Sequence, residues 1–332
     1  MIELKDDQLC FHFPEVHPEA RCRIEFQRTL RIPDDNREYP LPAGLGSFPL
    51  FHVDDFRSKV PNEWIDHGGV FLPMYQSEAM WVNFSGRYPF AVKVAAGKIN
   101  AVTGKEWFNE LDSTPQDYVV IPEQPWLDGF NVGKDLIRQF VAMPLGQGYT
   151  AEEQLTGEAA HGGVQIIAYP MKREAYEQLQ KSVPRFDLGE AEYESVKFCL
   201  SENISMGLAP GGLMRQQIYD DDYGFDVWEH EARSRCFVHL VNSEVFCDIT
   251  GHRPPTGPPT PEQYADAGLP WFDYFDADRE VLDGAEPLAS LDSVAAKRIK
   301  EGKSALSNND PVLPKHVKRL GPSKNAVREG SF

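Results

Sequence analysis

Prolines and glycines, twenty-six of each, are scattered along the 332 residues without a fixed period. Proline cannot donate to a strand ladder or continue a helix interior, and glycine favours turns, so the chain must fold as many short elements. Between the breaks the pattern has a period of two. In Cys22-Arg23-Ile24-Glu25-Phe26-Gln27-Arg28-Thr29-Leu30 every even position except Arg28 is apolar and the odd ones are polar, the signature of a half-buried strand. Tyr39-Pro40-Leu41-Pro42, running on to Pro49, cannot continue a central strand and reads as a loop. Further strands are predicted at 70–75, 88–94, 98–103, 118–121, 137–143, 164–169, 215–219, 236–241 and 244–250. The expected fold class is mostly β, sandwich-like or barrel-like, with short helices and a helical C-terminal extension.

Helix starts are few and specific. Thr150-Ala151-Glu152-Glu153 is a capping box, with Gly157 placed to stop the helix in a left-handed conformation. Thr260-Pro261-Glu262-Gln263 is another, with proline at the first helical position and Gly268 at the end. Helices are also expected at 172–182 and 293–300. The chain divides into a β-rich segment 1–150, a second β-rich segment 151–252 able to pack with it, a proline-rich and helical extension 253–305, and a basic flexible tail 306–332. In that tail Lys315, Lys318, Arg319, Lys324 and Arg328 outnumber Asp310 and Glu329.

An internal repeat is the most informative pattern. Gly68-Gly69-Val70, Tyr75, Trp81, Phe90, Val94 and Thr103-Gly104 recur as Gly211-Gly212-Leu213, Tyr219, Trp228, Phe237, Val241 and Thr250-Gly251, and Gly162-Gly163-Val164 begins a partial third copy. The phases conflict, however. A hairpin turning at Asn242-Ser243 puts Cys236, Val238 and Leu240 on its apolar face and Phe237 with His239 on the other, whereas the matching Phe90 lies on the apolar face.

Thirty-three Lys and Arg against fifty-one Asp and Glu give a formal charge of −18, which repels phosphate backbones and anionic headgroups and argues against nucleic acid and membrane as partners. Met1 to Asp7 shows no basic stretch leading into an apolar one, and five scattered cysteines never form Cys-x-x-Cys. The expected setting is the cytoplasm, with reduced thiols.

The segment 211–276 resembles an uncharacterised family of fungal and bacterial proteins, some of whose members carry ubiquitin-like domains. The residues that carry the resemblance are Gly211-Gly212-x-x-x-Gln216-x-Ile218-Tyr219, Val241-Asn242-Ser243-x-x-Phe246, Thr250-Gly251-x-x-Pro254-Pro255 and Tyr264-Ala265-x-x-Gly268-Leu269-Pro270-x-Phe272. It covers about a fifth of the chain. The resemblance implies kinship without a mechanism, and no ubiquitin-like sequence is present here.

Catalytic signatures are incomplete. Gly302-Lys303-Ser304 ends like a phosphate loop, but Lys297 stands where the first glycine belongs; His230-Glu231 lacks the second histidine of a zincin, since Ser234 is there. His52-Val53-Asp54 is the best metal candidate, because on a strand residues i and i+2 face one side, and His67 or His161, each preceding Gly-Gly-Val, could complete a site for a divalent metal. The alternative is a surface pair at His52 and Asp54 and hydrogen-bonded turns at the other two. Asp220-Asp221-Asp222 reads as a solvated acidic loop rather than a calcium site. Of six tryptophans, core anchors by default, Trp126 and Trp271 are the candidates for ligand binding. The leading reading is a non-catalytic module binding a protein or small ligand, with no cofactor. The alternatives are a metal-dependent enzyme with a His/Asp site and a self-assembling structural protein, a homo-oligomer.

Overall fold

The computed structural model describes residues 1–182, 204–274, 279–304 and 306–320. The chain opens with β1 (Ile2–Lys5), β2 (Gln8–His12) and β3 (Arg21–Thr29). Short strands β4 (Glu38–Tyr39), β5 (Leu41–Pro42), β6 (Gly44–Ser47) and β7 (Phe51–His52) carry it through the proline-rich stretch to helix α1 (Asn62–His67). There follow β8 (Val70–Met74), β9 (Ala79–Ser85), β10 (Phe90–Ala96), β11 (Ile99–Asn100), β12 (Val119–Ile121), β13 (Trp126–Leu127), β14 (Gly129–Gly133) and β15 (Leu136–Pro144). Then come α2 (Ala151–Thr156), β16 (Val164–Pro170), α3 (Arg173–Ser182), β17 (Ser205–Arg215), β18 (Ser234–Asn242) and α4 (Ser243–Thr250). The last described elements are α5 (Pro261–Asp266), β19 (Trp271–Tyr274), α6 (Glu286–Ala289), α7 (Val294–Lys300) and β20 (Val317–Leu320).

All strands except β5, β19 and β20 join one sheet, antiparallel apart from β4 on β17 and β8 on β18. Its spine runs β1-β2-β3-β9-β15-β17-β18-β16-β10-β12 and does not close on itself, so the architecture is sandwich-like rather than a barrel. Along that spine β17, β18 and β16 of 151–252 lie together between β15 and β10 of 1–150, and the side chains of both segments share one core: Ile24, Phe26 and Val82 with Phe90, Val92, Ile166, Val238 and Leu240. Phe13 packs on Phe90 at 5.7 Å. No described helix is long and apolar enough to cross a membrane.

The alternation in β3 is obeyed even by its exception. Arg28 keeps the inward phase of Cys22, Ile24 and Phe26 and is buried, donating from Nε (2.8 Å) and Nη2 (2.6 Å) to Glu78 Oε1. It also donates to the Thr256 carbonyl, which ties the proline-rich segment to the sheet. Both capping boxes form, at Thr150 with Glu153 and at Thr260 with Gln263. The helices expected at 172–182 and 293–300 are α3 and α7.

Four expectations are corrected. The stretch from Tyr39 to Pro49, expected to be a loop, holds the end of β4 and the short strands β5, paired with β19, and β6, paired with β3. The 244–250 segment is helix α4, because Asn242 caps it by accepting the Glu244 N–H, and the buried Phe246 and Ile249 are spaced for a helix, which leaves Cys247 outside. The strand expected at 215–219 lies earlier, as β17, with Gly211 and Gly212 inside it rather than in a turn. A Cβ on Gly211 would stand 2.5 Å from Val141 Cγ2, and one on Gly212 2.4 Å from the Pro33 carbonyl, so these glycines serve close backbone approach. The strand expected at 98–103 shrinks to β11, because Asn100 Oδ1 accepts the N–H groups of Val102 and Thr103 and turns the chain.

The two longer copies of the repeat adopt different local structures. Gly68 and Gly69 are left-handed residues ending α1, Gly211 and Gly212 are extended within β17, and Thr250-Gly251 ends a helix where Thr103-Gly104 is a turn. The partial copy is the one that matches: Gly162 and Gly163 have φ of 58° and 62°, as Gly68 and Gly69 have 64° and 84°. The segment expected to be a flexible tail contributes β20, parallel to β19, with Lys318 and Arg319 on it. Residues 321–332, with Lys324, Arg328 and Glu329, lie outside the described residues, as does Cys199.

Candidate functional site: two histidine turns and the cavity beside Glu152

Two His-Gly-Gly-Val sequences enter the sheet on opposite edges of one strand. Val70 of β8 and Val164 of β16 both pair with Val238 in the middle of β18. Each approach depends on glycine, because a Cβ on Gly69 would lie 2.1 Å from the Phe237 carbonyl oxygen and one on Gly163 2.6 Å from that of Val238. The shared register brings the histidines before the glycines together, with the rings of His67 and His161 5.3 Å apart.

The outward face of β18 completes the cluster, since Arg235, Phe237 and His239 alternate onto one side. His67 stacks on Phe237 at 4.5 Å, with Arg235 over the same phenyl ring, and Trp64 of α1 stacks on His239 at 4.7 Å. His239 Nε2 lies 3.0 Å from the Gly68 carbonyl, which assigns the proton to that nitrogen. Burial lowers the pKa of all three imidazoles, that of His239 to about 4. His161 further lowers His67, and Lys98 lowers His161. All three imidazoles are thereby pushed toward the neutral form.

The His161 turn is held by Glu152 of α2. Glu152 is 1% exposed, and its Oε2 accepts the N–H of Gly162 (2.8 Å) and of His161 (3.3 Å). Its Oε1 is enclosed with no hydrogen-bond partner, as is His161 Nδ1. Burial raises the Glu152 pKa, while the N–H groups of Gly162, His161 and Lys98 and the Lys98 charge pull it down. A cavity of about 440 Å³ opens beside it, lined by Lys98, Ile99, Glu106, Leu155 and Glu158 among others. That volume falls in the range of small-molecule sites.

His52 and Asp54 are not a strand pair. His52 ends β7, exposed, and Asp54 sits in a one-turn 3-10 helix, Val53–Phe56, where it bonds Arg57 at 2.6 Å. The i, i+2 geometry that recommended them does not exist, although His67 and His161 do meet. Among the described residues no group of three or more His, Cys, Asp or Glu is arranged to hold a metal ion. Trp126 is half-buried on β13 between Trp81 (6.0 Å) and Tyr274 (5.1 Å). Trp271 is 3% exposed, packed on Tyr264 at 5.3 Å in the three-stranded sheet of β5, β19 and β20.

The acidic loop is an anchor and not merely solvated. Asp221 Oδ2 accepts from Tyr118 Oη and Trp228 Nε1, each at 2.8 Å, and Oδ1 accepts the N–H groups of Tyr223 and Gly224. Glu152 escaped the sequence reading because it was absorbed into the capping box. Only Glu153 is needed there, and the neighbouring glutamate on a buried turn was the signal available. Compared with protein-family models, with curated proteins and with solved structures, the chain matches none.

Proposed function

We propose that this protein is a non-catalytic binding module for a small ligand, housed in the cavity beside Glu152 and working in the cytoplasm. One observation carries the reading: a cavity of about 440 Å³, the size of a small-molecule site, is lined by Lys98, Ile99, Glu106, Leu155 and Glu158 over the buried Glu152. The unpaired thiols of Cys10, Cys22, Cys236 and Cys247 support a reducing setting, and a charge of −18 disfavours nucleic acid. Kinship with the fungal and bacterial family through 211–276 is retained as part of the proposal and supplies no ligand.

A thermal-shift screen of small amines, amides, polyols and carboxylates tests it, run beside Leu155→Trp, which fills the cavity. At least one class should raise the Tm of the natural protein and leave the variant unmoved. Equal shifts in both proteins, or none in either, would overturn the reading. A second reading rests on the meeting of His67 and His161 as neutral imidazoles, the form that ligates metal, and makes the protein a metal-dependent enzyme. Cobalt(II) titration followed by its visible spectrum checks it: a spectrum lost in His161→Ala supports the metal, and an unchanged spectrum removes it.

A further inference from the structure

We infer that the open edge of β20 receives an extended acidic segment of another protein, with the pattern apolar-acidic-acidic-apolar, as an added strand. The small sheet runs β5-β19-β20. Its β5 end is closed, since Leu41 and Pro42 are buried and the prolines at 40 and 42 have no N–H to offer. At the other end β20 pairs, among the described residues, with β19 alone. The Trp271 N–H donates to the His316 carbonyl at 2.8 Å. In a parallel ladder that phase turns His316 and Lys318 toward β19 and leaves the N–H and C=O groups of Val317 and Arg319 facing outward. All four residues of β20 are exposed. A backbone paired on one side and bare on the other is the template that strand addition uses.

The side chains decide which strand the template accepts. Lys318 and Arg319 stand together between Val317 and Leu320, which are 42% and 41% exposed, and Lys315 precedes them. Asp273 lies opposite Arg319 on β19 but is already bonded by Arg215 at 2.7 Å. Among the described residues none of these three cations forms an ion pair. Acids elsewhere on the surface are screened beyond about 8–10 Å at physiological salt, so the adjacent cations govern the edge.

Cross-strand neighbours of opposite charge stabilise a sheet, and like charges destabilise it. A second copy of β20 laid antiparallel on this edge would set Lys318 against Arg319, which disfavours self-pairing. Basic residues on an edge are a common block against unwanted pairing, and here the block turns away a strand like itself and admits an acidic one. Acids at the two central positions of the added strand meet both cations, while the apolar residues that flank them cover Val317 and Leu320. The pattern reads the same in both directions, so it suits a parallel or an antiparallel arrival. None of these residues lines the cavity beside Glu152, and the inference is independent of the ligand reading.

Fluorescence anisotropy of the full chain with the labelled peptide Thr-Val-Glu-Glu-Val-Thr tests this, beside its counterpart Thr-Val-Lys-Lys-Val-Thr. The glutamate peptide should bind saturably, more tightly at low salt than at high salt, and the lysine peptide should not bind. Two exposed changes separate backbone from charge. Val317→Pro, at the first residue of an edge strand where proline is tolerated, removes an outward N–H and keeps both cations; it should weaken binding about tenfold or more. The double change Lys318→Glu with Arg319→Glu keeps the backbone and should exchange the preference, so that the lysine peptide binds and the glutamate peptide does not. A glutamate peptide that fails to bind the natural protein, binds both variants undiminished, or binds no better than the lysine peptide would overturn the inference. A dimer seen by light scattering and abolished by Val317→Pro would give the edge to a second copy and overturn it as well.

Discussion

Val70 and Val164 flank the same residue, Val238, one paired parallel and the other antiparallel, and each is the first strand residue after a His-Gly-Gly turn. The two turns therefore face each other across β18, and their glycines are set by the backbone of that strand. Gly69→Ala combines a φ of 84° with a Cβ 2.1 Å from the Phe237 carbonyl, where no flexible side chain can give way. It should cost more than about 3 kcal/mol in urea unfolding or prevent folding. Gly146→Ala has a similar φ of 88° and nothing within 4 Å, and should cost only about 1–2 kcal/mol. Equal costs would mean that β18 does not set these turns.

Asn242 closes β18 and starts α4 in one residue. Asn242→Ala removes the acceptor for the Glu244 N–H and should lower unfolding free energy by about 1–2 kcal/mol. Because Phe246 and Ile249 bury against Val53, Trp64 and Phe71, the variant should also speed hydrogen exchange in α4 before the main sheet. Uniform exchange across the molecule would contradict the separate small core.

Two buried groups give stability opposite pH slopes. His239 ordinarily titrates at 6.5 and here at about 4, so between those values the unfolded chain holds the proton and the folded one does not. Stability falls as pH drops through this window, by up to about 1.4 kcal/mol per pH unit, and His67 and His161 act in the same direction. His239→Phe, which keeps a ring against Trp64, should flatten that limb. Asp128, held by the Gln216 amide, is pushed by burial up to about 8 from 3.8, so its contribution is lost as pH rises through that range. Asp128→Asn should remove the decline toward pH 8, measured by urea titration at a series of pH values.

The acidic triplet should behave unevenly. Asp221→Ala strands the Trp228 indole N–H and the Tyr118 hydroxyl and should cost about 2–4 kcal/mol. Asp222→Ala loses only a half-exposed pair with Arg279 and should stay within about 1 kcal/mol. Similar effects of the two would return the loop to a solvated role.

What the sequence made legible was local. The alternation of Cys22 to Leu30, the capping boxes at Thr150 and Thr260, and the glycine stops needed only neighbours along the chain, and they appear where expected. Misreadings arose where distant chain decided the outcome. Val245, Cys247 and Ile249 alternate like a strand, yet the packing of Phe246 and Ile249 beneath α4 overrides that period. Gly211-Gly212 looked like a turn because the approach of Val141 and Pro33 cannot be seen locally. Of the candidate site, the pairing of His67 with His161 was visible as two identical tetrapeptides. The burial of Glu152 against Gly97 and the His161 turn was not, since it joins residues on three separate elements.

The central claim is that the cavity beside Glu152 takes a small ligand, and methyl NMR of the full chain, titrated with the compound that raises the Tm most, tests it most directly. The resonances of Ile99 and Leu155, which line the cavity, should shift progressively and saturate, while Ile137 of β15 and Leu208 of β17 stay in place. Saturating shifts at other methyls with Ile99 and Leu155 unmoved would contradict the account.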